Sequence, residues 1–140
     1  MRRLVMLLWL ALAMPVGAAA QGEHGLSEAA ERARAAWSAH DASGLVASSP
    51  RLLVQLPGAD PSVALGPEQA AALLQDFLAT GQEVETVVRA AREVEVGRGY
   101  VELLRHYRVA GTQEVRTQSL LLGYRLARQG WILVELRVVG

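Results

Sequence analysis

Two adjacent residues of this chain carry side chains that could do chemistry: His40 and Asp41 lie where a predicted helix ends. Facing a cavity, either could act as a general base with a pKa tuned by burial. The structural alternative is that Asp41 caps the next helical turn, while His40 lies exposed at a helix C-terminus, where a cation is favoured. We prefer this second interpretation, because Asp is a preferred capping residue and the sequence identifies no catalytic partner.

The composition excludes several other kinds of chemistry. The 140 residues include no Cys, Lys or Asn, so the sequence excludes disulfides, thiol chemistry, Schiff-base lysines and N-glycosylation. The three histidines, His24, His40 and His106, show no metal-ligand spacing. We therefore predict no metal and no cofactor.

Two C-terminal strands bring a set of polar and aromatic residues together. A turn at Gly111-Thr112, with Gly first as a type II′ turn prefers, sets their register. It pairs Val101 with Leu122, Leu103 with Leu120, Arg105 with Gln118, and Tyr107 with Arg116. The inner face of the sheet is then apolar at one end and polar at the other, and His106 falls on the outer face.

The polar end of this inner face is the predicted ligand site. Because burying an unpaired arginine costs several kcal/mol, this end either opens to water or lines a polar cavity. Arginines there could hold a small anionic ligand as forked donors. The structural alternative is pairing with helix carboxylates such as Asp76 or Glu68. The candidate binding residues are Arg105, Tyr107, Gln118, Arg116, Trp37 and Tyr124, the last two being aromatic residues at core spacing.

The last hairpin decides which residues face outward. A three-residue loop at Arg128-Gln129-Gly130 would set Leu126 opposite Ile132, Tyr124 opposite Val134 and Leu122 opposite Leu136, matching apolar face to apolar face. We reject a two-residue loop because it would mix the faces. The outer face then carries an apolar patch rimmed by charge, which indicates a partner surface. Its apolar members include Trp131, Leu133, Leu121 and Leu104.

The N-terminus has the pattern of a targeting segment. Arg2 and Arg3 precede an apolar run, and an Ala-x-Ala site ends at Ala20, so residues 1–20 are predicted to be a cleaved signal peptide. The alternative is an uncleaved anchor helix. Cleavage removes two of the 14 arginines against 14 acidic residues, which leaves a formal charge of −2 and argues against a nucleic-acid surface. We expect a periplasmic or secreted protein that has no membrane contact after cleavage.

The remaining pattern predicts one α+β domain over residues 27–140, after a flexible leader at 21–26. Ser27 caps a first helix that contains Trp37, and Pro67 opens a second one. Between them lies a short hairpin. A long strand over 82–96 follows, with Val94 opposite Val101 and Val88 opposite Tyr107. The predicted architecture is a curved antiparallel sheet, of four long C-terminal strands plus the hairpin, with the N-terminal helices on its concave face.

This order of elements resembles the NTF2-like superfamily, whose members fold as cystatin-like α+β cones. The resemblance covers about residues 27 to 139 and is carried by a helix with Trp and a following His-Asp, a helix opening at Gly-Pro-Glu-Gln, and a last strand Gly-Trp-Ile-Leu-Val-Glu-Leu-Arg-Val. It is similar in particular to small exported bacterial domains of unknown function. The resemblance implies a cavity between the concave sheet face and the helices, and a homodimer formed through the outer sheet face.

Some members of that superfamily are enzymes, of the ketosteroid isomerase-like, polyketide cyclase-like and epoxide hydrolase-like kinds, and others bind ligands or mediate assembly. The enzymes need a carboxylate or His projecting into the cavity. The predicted inner face has no acid, because Glu102 and Glu135 point outward. We therefore predict an exported, non-catalytic domain that binds a small apolar or anionic ligand or a protein partner. The alternative is a cofactor-free isomerase or hydrolase with Asp41 or His40 as its general base.

Overall fold

The computed structural model describes residues 18–140, with side chains from Gly25 onward. Up to Gly17, the predicted signal peptide lies outside the described residues, and its cleavage after Ala20 stays a prediction. Within the described part of the chain, no helix has the length and apolar character needed to cross a membrane.

Three helices precede most of the sheet: α1 (Ala18–Ser38), α2 (Ala42–Val46) and α3 (Pro67–Leu78). The predicted start of α1 at Ser27 was wrong. The helix is already formed at residues 21–26, the predicted leader, and Leu26 is fully buried in the core. An apolar anchor of this kind stabilises a helix through packing, and so the helix does not depend on the Ser27 cap.

A mixed five-stranded sheet follows, with the order β1-β5-β4-β3-β2. Its strands are β1 (Leu53–Gln55), β2 (Gly81–Glu95), β3 (Arg98–Val109), β4 (Val115–Ala127) and β5 (Gly130–Val139). The four long strands are antiparallel, as predicted, and this confirms the α+β fold class. Of the predicted short hairpin, the structure has one isolated antiparallel bridge, between Leu52 and Leu65. Strand β1 instead pairs in parallel with β5.

The predicted register between β3 and β4 is confirmed at all four pairs, from Val101 opposite Leu122 to Tyr107 opposite Arg116. Between β2 and β3 it was wrong. Three register shifts interrupt this pairing, so that Ala91 lies opposite Val101 and Glu83 lies opposite Tyr107. Each shift is a β-bulge, which adds one residue to a strand and reverses the faces beyond it.

The last hairpin also differs from the prediction. Ala127 pairs with Gly130 across a two-residue loop, which brings Trp131 opposite Leu126 and Leu133 opposite Tyr124. A register shift after Gly123 then restores the predicted pair of Leu122 and Leu136. Because the bulge adds one residue to β5, Trp131 and Leu133 turn inward, and they are only 7% and 4% exposed. Their predicted place on the outer face was therefore wrong.

The core lies between the helices and the inner face of the sheet. Helix α1 packs against β2, β3 and β5, and α2 packs against α3. The buried cluster includes Trp37, Leu74, Leu78, Leu103, Leu120 and Leu136. This packing closes the inner face over its apolar end and brings α1 and α3 close to its polar end.

Candidate functional site

The polar end of the inner face is occupied by an internal ion pair. The guanidinium of Arg105, 1% exposed, pairs with the Glu83 carboxylate through Nη2 and also donates from Nε to Glu83 Oε2 at 3.2 Å. Its Nη1 donates to Gln118 Oε1 at 3.1 Å. Every nitrogen of the guanidinium therefore has a partner supplied by the protein itself.

Glu83 reaches this site because of a β-bulge. The pairing of β2 with β3 shifts between Glu83 and Glu85, so Glu83 and Thr86 both face inward although they are three positions apart. The strict alternation assumed from the sequence placed Val84 on the inner face instead, whereas Val84 is 52% exposed. Sequence reasoning therefore missed Glu83, and the expectation that the inner face carries no acid was wrong.

Three aromatic rings surround the Arg105 guanidinium. Its Cζ atom lies 4.1 Å from the ring centroid of Tyr107, 5.1 Å from that of Trp37 and 5.6 Å from that of Phe77. A cation above an aromatic face is attracted by the ring quadrupole. The faces of the guanidinium are therefore covered as well as its edges, and an added anion would have to displace Glu83 or Gln118. We call Arg105, Glu83, Gln118 and the three rings the closed cluster.

His40 lies at the margin of the closed cluster and contacts it through Glu83. The last turn of α1 ends in a Schellman motif, in which His40 N–H bonds Trp37 O at 2.9 Å and Asp41 N–H bonds Ala36 O at 2.8 Å. His40 therefore has a left-handed φ of 54°, which is uncommon for a residue other than glycine. This backbone places His40 Nε2 3.3 Å from Glu83 Oε1, with the side chain 27% exposed.

Asp41, the other candidate base, lies outside the closed cluster. Its carboxylate accepts the Gly44 N–H at 2.9 Å and caps α2, and the residue is exposed. The capping interpretation is thus confirmed. In the described part of the chain, no group of three or more His, Asp or Glu residues is arranged to hold a metal ion.

Arg116 and Tyr124, two further candidate binding residues, are not part of the closed cluster. Arg116 is exposed and donates from Nε to Glu114 at 2.9 Å, an interaction that lowers the pKa of Glu114. Tyr124 is buried at the opposite end of the inner face, where desolvation raises the pKa of its phenol. Asp76 and Glu68, the helix carboxylates named as the structural alternative for this polar end, are both exposed, and Arg105 pairs with Glu83 and Gln118 instead.

A cavity of about 710 Å³ lies on the outer face of the sheet. Its floor follows one row across four strands, in which Leu53, Glu135, Gly123 and Tyr100 are successive partners. Gly123 has no side chain to fill the bottom of the cavity, and a Cβ atom at this position would lie 3.3 Å from Glu135 Cβ. The remaining lining residues include Val134, Arg51, Arg98 and Arg125. We call this the outer cavity.

The charges around the outer cavity are unbalanced. Three arginines line it, Arg51, Arg98 and Arg125, against the single acid Glu135. Arg98 lies 3.6 Å from Glu95 in an exposed pair. Within the described residues, Arg51 and Arg125 have no ion-pair partner. The other two outward residues predicted for a partner surface, Leu104 and Leu121, are half-buried on the same face.

The class of protein follows from this architecture: the chain has the cystatin-like α+β fold of NTF2-like proteins, as the sequence predicted. A ketosteroid isomerase-like protein from Erwinia carotovora matches 84% of this chain and 95% of its own length, with a TM-score of 0.69 and 14% identity. A domain of unknown function with a cystatin-like fold from Nostoc punctiforme matches 85% of this chain and 76% of its own length, with a TM-score of 0.65 and 17% identity.

A third similar structure is an NTF2-like protein with a cystatin-like fold from Novosphingobium aromaticivorans, at a TM-score of 0.61 and 18% identity; the match covers 85% of this chain and 81% of that one. No family model matches the sequence. No curated protein matches it either. At these identities the likeness extends to the fold alone.

Proposed function

We propose that this protein is an exported, non-catalytic binding domain that takes a small amphipathic anion into the outer cavity. The observation that carries the proposal is the rim of three arginines against one glutamate around a concavity of about 710 Å³. That volume lies within the range of ligand pockets, roughly 300–1,000 Å³. The chemistry that fits is a carboxylate or sulfonate on an apolar body.

The closed cluster supports an outward-facing site. Glu83 occupies the position beside Arg105 that an anionic ligand was expected to take. Aromatic rings from α1, α3 and β3 cover the guanidinium. Arg51 and Arg125, by contrast, hold charges that no described residue neutralises. A ligand carboxylate would supply the missing partner, since arginine forks bind carboxylates with two parallel hydrogen bonds.

The enzyme alternative has one observation in its favour, the contact between His40 and Glu83 at 3.3 Å. A carboxylate can orient an imidazole for general-base catalysis. However, neither His40 nor Asp41 lines the outer cavity or any of three further cavities in the described part of the chain. Binding therefore accounts for the geometry better than catalysis does.

A matched pair of fluorescent probes tests the proposal. Anilinonaphthalene sulfonate and neutral N-phenylnaphthylamine share an aromatic body and differ in charge, so the outer cavity should prefer the sulfonate. Arg125→Ala should weaken sulfonate binding by about tenfold, because it removes one charge-assisted contact. Arg128→Ala, an equal charge change in the exposed turn between β4 and β5, should leave the affinity unchanged.

A second variant tests the location. Gly123→Leu would fill the floor of the outer cavity and should abolish binding of both probes. If both probes bind equally well, or if Arg125→Ala and Arg128→Ala behave alike, the proposed site is wrong. The signal peptide is tested separately by sequencing the N-terminus of the protein recovered from the periplasm or medium of a bacterial host, where Gln21 is expected first.

The predicted homodimer stays part of the proposal, at a different place on the outer face. Two copies related by a two-fold axis through the outer cavity would bring the same arginines together. The half of the face that carries Leu104 and Leu121 has no such conflict. Sedimentation equilibrium should show a dimer that Leu104→Glu dissociates, and a monomeric wild-type protein would contradict this expectation.

A further inference from the structure

A second, smaller cavity lies on the helix side of the sheet and shares one lining residue, Tyr124, with the outer cavity. It has a volume of about 150 Å³ and is bounded by α1, by α2 with the residues that follow it, and by strands β4 and β5. We call it the inner cavity. Its polar lining includes Arg32, Ser48, Ser49 and Tyr124, while Leu133 and Trp131 form part of its apolar wall. None of its lining residues is acidic.

Ser49 gives the inner cavity an unsatisfied hydrogen-bonding group. The residue is 1% exposed, and its Oγ atom has no hydrogen-bond partner in the described part of the chain. Buried hydroxyl groups in native proteins are in the large majority hydrogen-bonded to protein or to ordered water. Because Ser49 lines the cavity, the missing partner can be supplied from within it.

Tyr124 and Arg32 complete the donor set. The ring of Tyr124 is 6% exposed, and desolvation raises the pKa of its phenol while the nearby Arg32 charge acts to lower it. The phenol therefore keeps its proton at neutral pH and can donate it in a hydrogen bond. Arg32 is exposed, makes no ion pair within the described residues, and places a positive charge beside the cavity.

We propose that the inner cavity binds a short-chain monocarboxylate, with the hydroxyl groups of Ser49 and Tyr124 and the guanidinium of Arg32 as donors to the carboxylate. Three donors without an opposing acid select an anion. The apolar wall of Leu133 and Trp131 faces the short alkyl chain. A cavity of about 150 Å³ accommodates a molecule of roughly the size of benzene, which has as many non-hydrogen atoms as butyrate.

Butyrate and butyramide are the matched probes for this site, because they have the same size and differ in charge. With protein expressed from the full-length chain, butyrate should produce saturable shifts of the amide resonances of Ala33 and Ser48, which line the inner cavity but not the outer one, and butyramide should bind at least tenfold more weakly. Octanoate exceeds the inner cavity and should not shift these amides. It fits the outer cavity, so the two sites are distinguished by chain length.

Three substitutions assign the donors. Ser49→Ala, Tyr124→Phe and Arg32→Gln should each weaken butyrate binding by about tenfold. Arg34→Gln is the matched control on α1, since Arg34 pairs with Glu31 and does not line the inner cavity. Arg125→Ala, the variant of the outer cavity, should also leave butyrate binding unchanged.

Stability separates a binding role of Ser49 from a structural one. In the absence of butyrate, Ser49→Ala should melt at or above the wild-type temperature, because it removes an unpartnered buried hydroxyl. Butyrate should raise the melting temperature of the wild type more than that of the variant. The proposal is overturned if butyrate does not bind saturably, if butyramide binds equally well, or if Tyr124→Phe and Ser49→Ala bind butyrate like the wild type.

Discussion

The buried pair of Glu83 and Arg105 allows a quantitative test of how the closed cluster holds the domain together. Their side chains are only 6% and 2% exposed. Removing one partner of a buried pair leaves an uncompensated charge and typically costs roughly 3–5 kcal/mol. We therefore expect Glu83→Met to lower the free energy of unfolding by about that much, which is a large part of the roughly 5–15 kcal/mol of an ordinary domain.

Arg105→Met should be the milder of the two substitutions. Glu83 would still accept hydrogen bonds from His40 and Thr86, and Met would fill space between the aromatic rings. In Glu83→Met, by contrast, the guanidinium stays buried and cannot lose its proton. The double variant should recover to within about 1 kcal/mol of the wild type, because apolar residues of similar volume often replace a buried ion pair without loss.

Urea denaturation followed by tryptophan fluorescence measures these differences, since Trp37 stacks over the guanidinium. A loss of 3 kcal/mol should also lower the melting temperature by about 10 °C in a domain of this size. Glu85→Met is the control: Glu85 lies on the same strand but is exposed, and should change stability by less than about 0.5 kcal/mol. Additive effects of the two single substitutions would refute the pairing, because paired residues must show a coupling energy.

Three further outcomes follow from the burial and backbone of single residues. The phenol of Tyr124 ionises near pH 10 in the unfolded chain, whereas burial raises its pKa in the folded one. The free energy of unfolding should therefore fall above about pH 10, by up to about 1.4 kcal/mol per pH unit. Tyr124→Phe should remove this part of the loss in an alkaline titration followed by circular dichroism. Because His40 has a left-handed backbone conformation, the His40→Gly variant should be more stable than His40→Ala by about 1 kcal/mol in thermal melts. At position 39 the order should reverse, with Ala39→Gly less stable than the wild type. Leu122→Asp should unfold the domain, as judged by circular dichroism, while Glu102→Ala on the outer face should be nearly silent; equal tolerance would contradict the assignment of faces.

The sequence predicts β3 and β4 well because nothing interrupts their alternation. From Val101 to Tyr107 every second residue is buried, and the turn centred on Gly111 sets one register for the whole pair. Local pattern and turn geometry agree there, so the inner position of Arg105 could be predicted. An arginine at that inner position must be neutralised or solvated, and in the structure Glu83 neutralises it.

The positions of Glu83, Trp131 and Leu133 could not be predicted because β-bulges reverse the faces of a strand without a local sequence mark. Only contacts with distant residues reveal them. Gly99 makes such contacts with distant residues: a Cβ atom at this position would lie 2.8 Å from Leu26 Cδ1 and 3.3 Å from Trp131 Cζ3. The glycine makes room for an inward Trp131, but it can be interpreted only once β3 and β5 are aligned in three dimensions.

The contrast between matched and unmatched arginines connects the fold to the proposed function. Arg105 is neutralised inside the domain by Glu83. Arg51 and Arg125 line the outer cavity and have no ion-pair partner within the described residues, and the proposed function pairs their charges with a ligand. The two kinds of charge respond differently to salt, because ions screen exposed charges over about 8 Å at physiological ionic strength and buried pairs much less. Added salt should therefore weaken anion binding at the outer cavity while the coupling energy between Glu83 and Arg105 stays nearly constant, and a parallel decline of both would mean that the closed cluster is accessible to solvent.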